Sequence, residues 1–390
     1  MVEPLGTPDV GDLRSVVVAS QRDLHPKVAR CCGYEFEDTI AEIEGAAFVT
    51  ARHSAVSKFS PHGHLTDHLT RHVRAASHFN LGLRRHHLAD EASLFFAQFQ
   101  FGKDLVSLKA LGPWRSRSTA AVALVEEVWP GYARKHWRQF RPLRDFDHIF
   151  LECAASTQIV EEITGVPTSY VPPGVDALRF APTDLLAERP IDMTWIGRRS
   201  APTHGALMTA AERGEIFYYY DSIWETSVRS AREHRIGLAN LLKRSRYFMA
   251  NTAKFNDARA DSEEIGFRFF EGAAAGTVMI GTPPRTPYWD ELFGWEDSIF
   301  RLPYHSEDVL DLMAELDAQP ERIEAARRRN IAFSMLRHDW VHRWETILSS
   351  VGLDLNPAGI ARKRELHRRA AELLSGSVSA STPAAAAAAS

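Results

Sequence analysis

Three cysteines in 390 residues, Cys31, Cys32 and Cys153, are too few for a disulfide framework, and the adjacent pair is badly placed to bridge itself. No C-x2-C spacing offers zinc ligands either. An excess of one charge is also missing: Lys+Arg 46 against Asp+Glu 50 leaves −4, which gives no electrostatic case for nucleic acid or an anionic membrane as a partner. No apolar run approaches the length of a membrane span, and the opening MVEPLGTPDVGDLRS lacks a basic stretch followed by an apolar core. These absences predict a reduced, cytoplasmic protein without an integral membrane span. There is no internal repeat.

What is present is globular, with 45% hydrophobic and 25% charged residues over a length sufficient for two cores. Short apolar runs alternate with amphipathic ones, which predicts an α/β protein built from β-α-β units. In the first half the runs Ser15–Ser20, Ala46–Thr50, Ala92–Phe99, Ala120–Trp129, Phe146–Glu152 and Val166–Val171 read as strands. Glu126 and Glu127 fall at a strand's carboxyl end, where open parallel sheets bind ligands, although solvated charges at a strand exit explain them equally well. A histidine-rich segment runs from 53 to 87. His64, His68 and His72 share one helix face there, but the general-base Glu of H-E-x-x-H is missing, so a solvated face fits better than a metal site.

In the second half, Val171-Pro-Pro-Gly-Val-Asp-Ala-Leu-Arg-Phe-Ala-Pro182 is a rigid, non-helical crossing suited to a domain boundary. Beyond it, Ile191–Gly197, Glu215–Tyr220, Arg246–Ala250, Thr277–Ile280 and Ser298–Leu302 read as strands, with helices between and after them. The 351–374 segment predicts a helical extension, and 375–390 is a Ser/Ala-rich disordered tail.

The stretch from Asp261 to Thr282 packs an acidic loop, a helix holding Ile265, Phe269 and Phe270, a glycine stop at Gly276 and a buried strand into little sequence. The amides of Ile265, Gly266 and Phe267 at the helix start favour an anion such as a pyrophosphate. Glu263 before the helix and Glu271 inside it offer acceptors for hydroxyl groups. An ordinary surface helix with solvated carboxylates is the alternative.

The spacing Glu263-x7-Glu271, with Gly266 between and Gly-Thr-Val-Met-Ile closing the unit, resembles the donor-site motif of group 1 glycosyltransferases of the GT-B fold. Residues 172–182 resemble that family's interdomain linker, Pro-x-Gly-Val-Asp-x-x-x-Phe-x-Pro. The resemblance implies two Rossmann-like domains facing each other across a cleft, with terminal helices crossing back to the first. Residues 1–172 would form the acceptor side and 173–350 the donor side.

It implies a retaining transferase that takes a nucleotide-diphosphate sugar as co-substrate, with no cofactor and no metal, and an acceptor the sequence does not name. Glu263 and Arg198 would be catalytic. Glu271 would hold the ribose hydroxyls, and Glu264, Ile265, Gly266, Phe267, Arg268, Gly197, Arg199, His204 and Lys254 would complete the donor site. The family's second cation is a lysine, where this chain has His204 before Gly205; Lys254 and Arg268 are substitutes on charge. A sugar-nucleotide epimerase of the same architecture and a non-catalytic sugar-nucleotide-binding protein are the other readings.

Overall fold

The computed structural model describes residues 14–54, 83–84, 91–222, 226–255, 257 and 260–375. The helix-face histidines His64, His68 and His72, and the tail from 376, lie outside the described residues.

The first half folds around a parallel sheet of β1 (Val16–Ser20), β2 (Ala47–Thr50), β5 (Ala92–Phe99), β6 (Ser118–Val125), β7 (His148–Leu151) and β8 (Thr168–Tyr170), ordered β2-β1-β5-β6-β7-β8. The short strands β3 (Arg52–His53) and β4 (Leu83–Arg84) pair antiparallel beside it. Strands β5 and β6 read as unbroken apolar runs because helical layers cover both their faces. Phe95 and Phe96 point to opposite faces, and each is fully buried.

The second sheet, also parallel, is ordered β10-β9-β11-β12-β13. Its strands are β9 (Ile191–Trp195), β10 (Tyr218–Tyr220), β11 (Ser245–Met249), β12 (Val278–Gly281) and β13 (Phe300–Arg301). Each strand of this sheet is one the sequence predicts, with ends that differ from the predicted ones by up to three residues. Two Rossmann-like domains thus face each other across a cleft, the GT-B architecture.

Helix α1 (Cys31–Glu44) lies between the halves, and the acids of its sequence are not a solvated face: Glu35, Glu37 and Glu44 are buried. They are tolerable there because each has a partner. Opposite α1 stands α2 (Ala231–Lys243), started by the Ser230 hydroxyl accepting from the Glu233 amide at 3.2 Å. The helix of the 261–282 unit, α3 (Phe267–Ala274), begins two residues later than the sequence predicts, with Gly266 as its extended N-cap. Gly276 turns out of it at φ +62°, where an added Cβ would press within 2.5 Å of Ile331. Only glycine meets both demands.

Of the terminal helices, α4 (Pro320–Arg337) packs on α3, and α5 (Trp340–Ser349) and α6 (Pro357–Leu374) reach α1 of the first half. Asp339 breaks the chain between α4 and α5 and caps the latter by accepting from the Val341 amide at 3.0 Å. Trp340 stacks on Phe36 of α1 with ring centres 4.6 Å apart, and Trp344 meets Phe96 edge-on at 5.5 Å. Both indoles donate to α1 carboxylates, Trp340 to Glu35 at 3.1 Å and Trp344 to Glu44 at 2.7 Å. The i, i+4 tryptophan pair is therefore the surface by which α5 docks on α1.

The linker runs beside this junction. The Val175 amide donates to the His338 carbonyl at 3.0 Å, and the Trp340 amide returns a bond to the Val175 carbonyl at 3.2 Å, so two crossings of the chain pair in parallel. Gly174 lies flat against Trp340, whose ring a Cβ would strike at 2.5 Å. Among the described residues no helix is long and apolar enough to cross a membrane.

Candidate functional site

The carboxyl ends of both sheets open onto one cleft with a volume of about 900 Å³. From the second sheet it is lined by Gly197 and Arg198 after β9, by Lys254 after β11, and by Glu264, Ile265, Gly266, Phe267 and Arg268 at the start of α3. From the first it is lined by Glu126 and Glu127 after β6, Trp129, and Glu152 after β7. This is where parallel sheets present loops and helix starts rather than strand backbone.

Among the described residues, three partly exposed cations line the cleft, beside the buried Arg235. Arg198, 44% exposed, pairs loosely with Asp257 at 3.2 Å. Lys254 pairs with Glu127 of the opposite wall and sits 4.8 Å from the centre of the Trp129 ring. Its backbone is left-handed at φ +52°, unusual for a lysine and a form of strain that collects at ligand sites. Arg268 keeps 31% of its side chain exposed while pairing with Glu271.

Other expected members stand back from the cleft wall. The Glu263 carboxylate accepts from the Arg285 amide at 2.6 Å, which ties it to the proline-rich turn after β12, and Glu264 lines the cleft in its place. Glu264 is buried and reaches across to the first half, where it accepts from the Ala154 amide at 3.3 Å; burial pushes its carboxyl up.

Arg199 turns to Asp221 at 2.6 Å, and Asp221 also takes the Gly197 amide at 3.0 Å, so this arginine braces the β9 loop. His204 lies in the helix Ala201–Glu212, with Nδ1 2.8 Å from the Tyr218 hydroxyl and its ring against Tyr220. Burial and Arg199 lower its pKa, which disfavours the cation expected at this position.

Glu271 is fully buried, held between Arg235 of α2 and Arg268. Burial alone would raise its carboxyl, but the two guanidiniums outweigh that and hold it at about 2. Arg235 continues to Glu35 of α1, so a buried chain of alternating charge, Glu35, Arg235, Glu271 and Arg268, runs from the first half to the cleft's edge. Sequence reading did not find Arg235 or Glu35. Arg235 sits on an amphipathic helix with nothing to mark it, and Glu35 reads as surface because its neighbours in sequence are also acidic.

The first-half wall is acidic. Glu126 is buried, accepts from Gln98 at 2.9 Å, and is pushed by burial to about 8. Glu152, buried beside it, is raised well above the carboxylate range by burial and by Glu126. The sequence marked Glu126 and Glu127 at a strand exit but gave Glu152 and Trp129 no role; strand-end position was the available signal. An Asp-x-Asp spacing does occur, Asp145-Phe146-Asp147, but it precedes β7 at the sheet's opposite end, where Asp147 takes the Ala121 amide at 2.8 Å and Arg115 at 2.9 Å.

Residues 204–349 match a family model described as glycosyl transferase-like. No curated protein matches the chain. Among solved structures, an alpha-glucosyltransferase in complex with UDP and a 13-mer DNA containing a HMU base is similar over 87% of this chain and 99% of that one, at 11% identity and a TM-score of 0.49. The sucrose-phosphate synthase of Thermosynechococcus elongatus is similar over 93% and 100%, at 11% identity and 0.46. The pneumococcal O-GlcNAc transferase GtfA in complex with UDP and GlcNAc is similar over 72% and 57%, at 15% identity and 0.34. The family-model match begins in the helix after β9 and runs through α5, so it lies in the second half of the chain.

Proposed function

We propose that the protein is a glycosyltransferase that moves a sugar from a nucleotide-diphosphate sugar to an acceptor bound on the first half, with retention and without a metal. The observation that carries this reading is the meeting of Gly197, Arg198, Lys254, Arg268 and the start of α3 in one cleft. Three cations and a helix N-terminus form a setting for a diphosphate, with charge stabilisation supplied by fixed groups.

In the reaction the bond from the sugar's anomeric carbon to the diphosphate oxygen breaks, taking its electron pair to the diphosphate. A bond from the acceptor's hydroxyl oxygen forms, and the hydroxyl proton leaves with the nucleoside diphosphate. Arg198, Lys254 and Arg268 face the charge that grows on the leaving group. Glu271, fixed by Arg235, sets the position of Arg268 beside the donor.

A second reading, an epimerase acting on the same donor, is favoured by Glu126 and Glu152, whose carboxyls burial raises above the ordinary carboxylate range in the cleft. Incubation of the full chain with UDP-, GDP- and ADP-sugars separates the two. Nucleoside diphosphate release that requires an acceptor supports transfer, an isomeric donor supports epimerisation, and absence of binding to all donors removes both.

A further inference from the structure

The wall facing the three cations carries an unusual set of hydrogen-bonding atoms. Glu126 and Glu152 end neighbouring strands β6 and β7, and each is more than nine-tenths buried. Gln98 occupies one oxygen of Glu126 at 2.9 Å, whereas Oε1 of Glu152 has no hydrogen-bond partner among the described residues. Independently, the Trp129 indole, also more than nine-tenths buried and lining the same cleft, leaves its Nε1 donor without a partner among the described residues. One wall thus holds an unfilled acceptor and an unfilled donor, and buried groups of this kind are normally satisfied.

Charge at this wall is unbalanced as well. Of the three carboxylates, Glu127 is matched by Lys254. Arg343 is close enough to Glu152 to act on its charge, but its guanidinium donates to the carbonyls of Pro172, Pro173 and Arg337, at 3.0 Å, 3.0 Å and 2.8 Å. No three acidic, histidine or cysteine side chains among the described residues are placed to hold a metal ion. The complement is an organic cation with several N–H donors next to an oxygen that accepts from an indole.

We propose that this wall is the acceptor subsite and that it selects an amino-polyol, an amino sugar or aminocyclitol, whose ammonium sits on Glu126 and Glu152 while a neighbouring hydroxyl accepts from Trp129 Nε1. The inference rests on the transferase reading and gives its acceptor a chemical class. An ammonium supplies three donors and favours the ionised form of both carboxyls against the burial that raises them; a neutral sugar hydroxyl supplies one donor. A phosphorylated or carboxylated acceptor meets like charge here and is rejected.

The test uses the full chain, first titrated with UDP, GDP and ADP to read the diphosphate site on its own. Glucosamine, glucose and glucose 6-phosphate are then compared by ligand-observed NMR at pH 7, with and without the tightest-binding diphosphate, so the amine preference is read even where no diphosphate binds. Glucosamine is expected to bind about tenfold tighter than glucose, as a charge-assisted hydrogen bond requires, and glucose 6-phosphate most weakly. Glu152→Gln is expected to erase the preference while diphosphate affinity stays the same. Equal affinity for glucose and glucosamine, no binding of any of the three, or a preference that survives both Glu152→Gln and Glu126→Gln overturns the proposal. Should either variant fail to fold, the wild-type comparison of glucosamine with glucose decides it.

Discussion

Arg235 grips Glu35 with two parallel hydrogen bonds, Nε to Oε1 at 3.1 Å and Nη2 to Oε2 at 3.0 Å, with both side chains sealed from solvent. The pair joins α2 of the second half to α1 of the first. Arg235 keeps Glu271 and Glu35 keeps Arg179 when the other is removed, so losing one partner removes charge-assisted hydrogen bonds without stranding a bare charge and costs about 1–3 kcal/mol. Glu35→Ala and Arg235→Ala should each lower stability by that order in urea unfolding. A loss below about 1 kcal/mol, the scale of an exposed pair, would show that water reaches the site.

Trp340 separates stacking from hydrogen bonding at the same junction. Trp340→Ala removes the ring against Phe36 and should cost about 3–5 kcal/mol. Trp340→Phe keeps an aromatic face but removes the donor to Glu35, so its cost should fall to about 1–3 kcal/mol. Equal losses for the two variants in denaturant melts would make the indole N–H, and not the stacking, the dominant contact.

Lys254 sits in a left-handed backbone conformation that costs of order 1–3 kcal/mol. Glycine adopts it without penalty, so Lys254→Gly should leave the thermal midpoint unchanged or raised. Donor diphosphate affinity should fall about tenfold with the lost charge. Calorimetry and a thermal scan on the same preparation check both; unchanged affinity would exclude Lys254 from the diphosphate site.

Glu126 makes stability fall as pH rises. Its folded value of about 8 lies above the ordinary 4.5, so between these the folded chain keeps a proton that the unfolded chain has released. Stability declines through that window by up to about 1.4 kcal/mol per pH unit. Glu126→Gln cannot ionise; it should match wild type below pH 4.5 and exceed it at pH 8 in chemical denaturation. Glu271 acts in the opposite sense: held at about 2, it contributes above its ordinary 4.5 and loses that contribution as pH falls towards 2. A Glu126→Gln profile parallel to wild type would mean that the carboxyl is solvated.

Much of the fold was legible because strands of a parallel sheet are apolar on both faces and so announce themselves: Val16–Ser20, Ala92–Phe99 and Val278–Gly281 needed no tertiary information. The cleft edge of the second sheet was legible through its glycine and helix start, at Gly197 and Gly266. What remained hidden were the long-range pairings. Glu35 and Arg235 are 200 residues apart in sequence, and nothing local shows that each neutralises the other. Glu263 and Glu264 differ by one position, and only packing decides which faces the cleft. His204 likewise reads as a cation until Tyr218 and Tyr220 close around it.

The two crossings between the halves, hydrogen-bonded to each other at Val175, His338 and Trp340, have a mechanical consequence. A single strand between two bodies permits swivel about its own axis as readily as bending. Two strands bonded side by side form a strap, stiff to torsion and compliant to bending about one line. A relative movement of the halves about that line would keep Lys254 in register with Glu127 across the cleft.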